Sequence, residues 1–323
     1  MPRTKSGFGP LRREASAFEP LRRKVCRQVE IWCNSIREKP LPIPLHELAK
    51  ARNITTIQFK PLISTAGLKK TSDGYVIVVN SFADGVTQPT GTEMPPSDAW
   101  AKFLPPLRFS IAHEIAHVLL YDCVNGQVDN CVFTEYWQDM EATCNYIAGV
   151  LLLPKDRLLR DLRRRPFGIE NVVALGKSFR ASPEVVLRRL KNDEVRKHLN
   201  GIDEFLAIVR PDDGRPKVIA PFCRGERATT RFSVAEKAEL SELRLPTDIE
   251  ESLRETRTFR QIANISWHLS QVIECEVKSR ALGMGSGALL LSIKFLGDPE
   301  NSNKFKLDNL DDPWLTLPSE SGE

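Results

Sequence analysis

Two histidines four residues apart, His113 and His117, with Glu114 directly after the first, are the side chains of this sequence best suited to chemistry. On an α-helix, residues four apart share a face, with Cβ atoms about 5–6 Å apart. Two imidazoles so placed can close on one ion at about 2.0–2.1 Å per Zn–N bond. Glu114 sits one step round the helix, where its carboxylate can reach a water held by the metal without itself being a ligand. By chance alone, HExxH arises in roughly one chain in a hundred of this length, so its surroundings must add weight. They do. Phe109, Ile111, Ala112, Ile115, Ala116, Val118, Leu119 and Leu120 make the stretch apolar nearly all round, which marks a buried helix. Unpaired charged and polar groups in such a place cost several kcal/mol, and a metal with its water would satisfy all three. A near miss, His46-Glu47-Leu48-Ala49-Lys50, ends in lysine, lacks the second imidazole and reads as an ordinary helix.

A catalytic zinc takes three protein ligands and leaves one position for water. The histidines His46, His198 and His268 are far off in sequence, so a carboxylate from the following helix is expected. Glu135, Asp139 and Glu141 are the candidates. Glu141 is preferred, because it lies inside an apolar helix with Ala142, Ala148, Leu151 and Leu152, where a carboxylate needs a cation. Asn145, one turn on, is expected to orient Glu141. Two histidines and a glutamate favour Zn2+, while Mn2+ or Fe2+ would accept the same ligands. Tyr121 and Tyr146 both stand as donors to an oxyanion. The β-branched strand Tyr75–Asn80, with Val76 and Val78, is expected either to bind substrate by strand addition or to be an ordinary sheet member.

Several elements must hold these residues. Helical spacing joins Leu21, Val25, Val29, Trp32 and Ile36, after Pro20 and before Pro40. Leu45–Arg52 reads as a short helix and Thr55–Lys60 as a strand. Ser72-Asp73-Gly74 is a turn before the Tyr75–Asn80 strand. Asp84 to Pro106 reads as a long loop. Helices are expected over Leu107–Tyr121, Trp137–Leu153, Arg157–Arg163, Ile169–Phe179 and Pro183–Leu190, the last capped by Ser182. Strands follow at Phe205–Val209, Val218–Phe222, Ile273–Val277 and Ala288–Phe295, with capping boxes at Ser233/Glu236 and Thr247/Glu250. Gly283, Gly285 and Gly287 read as a hairpin turn, since a strand and not a helix follows them. The fold class is thus α+β, with a helical extension and a separate C-terminal α/β domain.

Composition narrows the function classes. A net charge of +4 over 323 residues does not by itself argue for nucleic-acid binding. The basic runs Arg22-Arg23-Lys24, Arg163-Arg164-Arg165 and Arg188-Arg189 read first as solvated helix faces. DNA contact through 171–191, using Arg188, Arg189 and Lys191, is the competing reading, with a scaffold preferred. Seven scattered cysteines without a CxxC argue against a disulfide framework and for a reducing compartment; Cys123 and Cys131 are expected to be free thiols. The start of the chain has no apolar signal region and no run is long enough to span a membrane, so a cytoplasmic protein without membrane attachment is expected.

The run from Leu107 to Leu120 resembles the active helix of the ImmA/IrrE metallopeptidases. The run from Glu141 through Asn145 and Tyr146 to Leu153-Pro154 resembles that family's second motif, with Cys144 and Ile147 departing from its usual alanine and phenylalanine. The resemblance covers roughly residues 40–190. It implies Glu141 as third ligand, Glu114 as general base and a zincin-like metallopeptidase core. It further implies cleavage of a helix-turn-helix repressor, with a helix-turn-helix-like segment and a GAF-like sensor domain after the peptidase. The expected division is 1–39 for a tail and helix, 40–160 for the metallopeptidase domain, 161–200 for the helical segment and 201–323 for the regulatory domain. The alternative is a sensor or binding protein that controls a repressor without proteolysis; the intact Glu114 speaks for the enzyme.

Overall fold

The computed structural model describes residues 19–35, 41–81, 100, 103–123, 137–164, 167–199, 204–212, 215–224, 243–244, 247–255, 258–267, 271–282 and 288–297. The expectations for the loop from Asp84, for Glu135 and Ser233/Glu236, and for the Cys123 and Cys131 thiols fall outside what is described. The chain divides into two compact units. The first is Met1–Asn200 with Leu206–Ile208 and Ile219–Phe222; the second is Gly201–Phe205, Val209–Val218 and Cys223–Glu323.

The first unit opens with α1 (Glu19–Ser35), which buries Val25, Val29 and Cys33 at four-residue spacing. Next come α2 (Leu45–Ala51) and a three-stranded sheet of β1 (Ile54–Lys60), β2 (Ala66–Thr71) and β3 (Gly74–Asn80). The order is β1-β3-β2, with β1 parallel and β2 antiparallel to β3. Ser72-Asp73 turns β2 into β3, as the turn signal suggests. Gly74 there has φ 140°, and a Cβ on it would stand 2.1 Å from the Asn53 carbonyl oxygen. Only glycine admits that approach, which leaves the Tyr75 N–H free to donate to Asn53 O at 2.8 Å. The β2 strand was not expected. Its sequence, Ala-Gly-Leu-Lys-Lys-Thr, has weak strand propensity, and cross-strand pairing with β3 supplies what propensity lacks.

The HExxH helix is α3 (Pro105–Cys123), and α4 (Trp137–Leu152) follows it. Pro105 and Pro106 suit a helix start, where missing N–H groups cost nothing. From Ile111 to Leu120, every apolar side chain of α3 is buried. The helix packs on α4, α1, β2 and β3. Its first turn is stapled by buried Arg108, which donates from Nη1 to Trp100 O at 3.1 Å and from Nη2 to Ile43 O at 2.9 Å. His46, the near miss, sits edge-on to Trp100 with centroids 6.2 Å apart. The helical extension comprises α5 (Lys155–Leu162), α6 (Ile169–Phe179), α7 (Pro183–Lys191) and α8 (Asp193–Arg196). Ser182 caps α7, its Oγ accepting from Val185 N at 3.3 Å.

The second sheet has six strands: β4 (Glu204–Asp212), β5 (Arg215–Arg224), β6 (Leu243–Arg244), β7 (Phe259–Trp267), β8 (Gln271–Ala281) and β9 (Leu289–Gly297). Their order is β5-β4-β9-β8-β7-β6, and α9 (Thr247–Arg254) precedes β7. The pairs β6/β7, β7/β8 and β8/β9 are antiparallel. Within this sheet the connections β4 to β5, β7 to β8 and β8 to β9 are short, and α9 lies between β6 and β7. The β7 strand was also not anticipated. The glycine-rich segment 283–287 joins two antiparallel partners, which excludes a dinucleotide loop. Taken as a whole the chain is α+β. Among the described residues, no helix is long and apolar enough to cross a membrane.

Candidate metal centre

The site is built from two helices. His113 and His117 project from one face of α3, and Glu141 faces them from α4. Glu141 Oε2 lies 3.1 Å from His113 Nε2, and Oε1 lies 3.3 Å from His117 Nε2. The two Nε2 atoms are 3.1 Å apart. These three residues form the one group of potential metal ligands found among the described residues. Asp139 is exposed and is not in the group.

The donor chemistry tests whether an ion fits. Asn145 Oδ1 stands 3.0 Å from His113 Nδ1. An amide oxygen can only accept, so Nδ1 carries the hydrogen and Nε2 turns its lone pair to the site. Asn145 thus orients His113, not Glu141 as the sequence suggested. The reason is helix geometry: Asn145 follows Glu141 by one turn and meets the neighbouring helix one turn back along α3. His117 is buried, and burial, with His113 beside it, lowers its pKa to about 4. It is therefore a neutral imidazole, the form that ligates. Two imidazole nitrogens and a carboxylate then face one another, and one shared proton cannot serve all three edges. A tetrahedral ion with bonds of about 2.0–2.1 Å sets its ligands about 3.3 Å apart, which matches the spacing seen. The residues fit a divalent metal.

Glu114 is 6% exposed, so its carboxylate has little water to solvate it. Burial first, and then the charge of Glu141, raise its pKa to about 7. A carboxylate at that value can both take and return a proton near neutrality. Tyr121 lies further along α3, its ring 6.2 Å from that of His117. Burial, then Cys144, Glu114, Tyr75 and Glu141, raise its hydroxyl. The other hydroxyl left open by the sequence, Tyr146, donates to Glu194 Oε1 at 3.1 Å and so is engaged away from the site. Cys144 is buried, free and held well above the usual thiol range by burial, so it stays a thiol.

Val76 and Val78 do not form a strand-addition site. They lie on β3, whose backbone is paired with β1 on one side and β2 on the other, leaving no row of N–H and C=O groups for a third partner. Arg189, expected among the phosphate contacts, is 2% exposed and ion-paired with Glu194, so it is not presented to a phosphate. Arg188 is exposed and bonds Glu184 at 2.9 Å, as i,i+4 partners do. The pairing of Arg189 with Glu194 was missed from sequence; its one signal is a cation and an acid five residues apart across a helix break.

Residues 104–191 match the Peptidase_M78 family, described as an IrrE N-terminal-like domain. The resemblance read from the two motifs therefore holds for the segment that carries both. No curated protein matches the chain. Among solved structures, a "Mycobacterium tuberculosis transcriptional regulator" superposes with a TM-score of 0.49 at 16% identity, over 86% of this chain and 91% of that one. At that score it decides neither fold nor activity.

Proposed function

We propose, from a segment 104–191 that belongs to the Peptidase_M78 family, that this chain is a metal-dependent endopeptidase that makes a site-specific cut in a helix-turn-helix repressor and so induces its genes. The observation that carries the reading is the convergence of His113, His117 and Glu141, with Glu114 buried beside them. His113 and His117 would hold the ion as neutral imidazoles, and Glu141 would supply the third bond and a charge. When bound, a divalent ion supplies Lewis acidity, making a water acidic near neutral pH and polarising the scissile carbonyl. Zinc is the first choice for two histidines and a glutamate, with manganese or iron as substitutes. Glu114 takes the proton of the attacking water and delivers it to the leaving amine. Tyr121 is the hydroxyl best placed to donate to the oxyanion.

Among the described residues β2 is an edge strand, so an extended substrate segment would add there and not to β3. We read the core as zincin-like, with the metallopeptidase domain over 40–160 and the helical segment over 161–200 as its scaffold. We read the second unit as a GAF-like sensor domain; its first and last strands are central neighbours, which supports that reading. The protein would act in the cytoplasm, on a soluble repressor.

The test is incubation of the zinc- or manganese-loaded protein with helix-turn-helix repressors, followed by mass spectrometry. We expect one repressor to be cut at one bond. Glu114→Gln should retain the metal and lose about 10²–10⁴ in cleavage rate, the usual worth of a general base. Metal bound with no repressor cut would remove the peptidase reading in favour of control by binding alone.

A further inference from the structure

We infer that the cluster of buried Arg189 with half-buried Glu194 and Tyr146 is a positioning device for the metal centre, fixing the rotation of α4 and thereby the placement of Glu141 and Asn145. Its consequence for ion binding rests on the metal reading above; its effect on the histidine ring does not.

The argument begins with helical periodicity. At 3.6 residues per turn, Glu141 and Asn145 share one face of α4. That face meets α3, where Glu141 lies against both histidines and Asn145 accepts from His113. Tyr146, Gly149 and Leu153, at spacings of three and four, mark a second face. Arg189 and its partner hold all three positions. Tyr146 Oη donates to Glu194 Oε1 at 3.1 Å, and Arg189 Nη1 donates to the same oxygen. Arg189 Nε donates to Leu153 O at 3.0 Å, just past the end of α4, where carbonyls lack helical partners. At Gly149 a Cβ would touch Arg189 Cδ at 4.0 Å, so the arginine stem runs along the helix there.

Arg189 therefore grips the end of α4 directly and its middle through Glu194 and Tyr146. It does so on a flank about a quarter-turn round α4 from the ligands. A helix held on one face alone can roll about its axis; one gripped on two cannot. Any roll of α4 would lift Asn145 from His113 and Glu141 from His117 together. The planar fork of arginine matters, since a lysine offers one point charge and cannot serve Leu153 O and Glu194 at fixed angles. The clamp comes from α7 and α8, so the helical extension takes part in the metal site without touching it.

The experiment uses the full chain. In metal-free protein, the ring nitrogens of His113 are read by NMR: the bond to Asn145 holds the hydrogen on Nδ1. Tyr146→Phe, which removes one hydroxyl and keeps the packing, should shift that signal toward tautomer averaging, as should Glu194→Gln. Val172→Ala, a core truncation in α6, should lower the melting temperature without moving it. In a chelator competition, Tyr146→Phe should weaken zinc binding by up to about tenfold, the loss expected if Asn145, the outer partner of His113, is displaced. Arg189→Lys should not restore what an Arg189 deletion loses. The inference is overturned if the His113 signal is unmoved in both Tyr146→Phe and Glu194→Gln, or if Val172→Ala moves it equally. A wild-type chain that binds no ion overturns the functional reading instead, and the metal-free signal still decides the clamp.

Discussion

Both units of this molecule bury polar side chains, but they satisfy them differently. In the second unit, the buried Glu204 carboxylate accepts from Ser292 Oγ at 2.7 Å, and buried Ser279 accepts from Phe259 N at 3.2 Å. These groups are satisfied by their own sheet. In the first unit, the two Nε2 atoms of His113 and His117 lie 3.1 Å apart and within 3.3 Å of the Glu141 carboxylate oxygens, with buried Glu114 beside them. The outcomes differ because hydrogen-bond donors match acceptors in one place and are too few for them in the other. A donor deficit of that kind is met by a cation. Burial alone therefore does not mark a functional site; the local balance of donors and acceptors does.

The sharpest way to break this contrast is to remove a ligand. His113→Ala or Glu141→Ala should abolish stoichiometric zinc measured on the purified protein, with the second unit still folded. Full metal content in Glu141→Ala would mean that the third ligand lies elsewhere. A smaller effect follows from adding metal to the intact chain. Zinc at 100 times its dissociation constant should stabilise the first unit by about 2.7 kcal/mol, raising its calorimetric transition by several degrees and leaving any separate transition of the second unit unmoved. Equal shifts in both would deny that the deficit is local.

In the second unit, Ser292→Ala should cost about 1–3 kcal/mol, because it strips a donor from a buried carboxylate, with no change in zinc content. A gain of metal there would erase the distinction drawn above. The smallest effect concerns acid. Burial pushes the Glu194 carboxyl up, but the Arg189 charge and the hydrogen bonds from Arg189 and Tyr146 outweigh it, leaving the pKa below its ordinary value. A depressed carboxylate contributes stability that is present above its unfolded pKa and lost as pH falls through the folded one. The contribution should therefore persist at neutral pH and fade below about pH 4.3, where the unfolded carboxyl begins to bind protons. Glu194→Gln should flatten that part of the melting profile; an unchanged acid limb would show that the ion pair is not what fades.

The helices were legible because they rest on local spacing. Residues 105–123 and 137–152 are long, largely apolar runs with no proline beyond their first turn, too long for a buried strand, and the structure has them within two residues of the expected bounds. The strand Gly74–Asn80 was legible from its β-branched run, and the Ser182 cap from its hydroxyl three residues before a free N–H. The strands β2 and β7 were not, because pairing rather than composition holds them. The choice the sequence left open for β3, between substrate strand and ordinary sheet member, has the same origin: a β-branched run reports a strand but not which of its edges is covered.

By itself the sequence determined that two imidazoles and a carboxylate share one turn of a buried helix, since three- and four-residue spacings are set by the 3.6-residue turn whatever lies around them. It also narrowed the third partner to acids of the next helix. Only the tertiary structure decided the rest: that Glu141 reaches both histidines while Asp139 stays in solvent, that Asn145 serves His113, that Tyr121 and not Tyr146 borders the site, and that Arg189 turns inward. Each of these depends on how one helix is rotated against another. That rotation is settled by packing between residues dozens of positions apart, which no local period records.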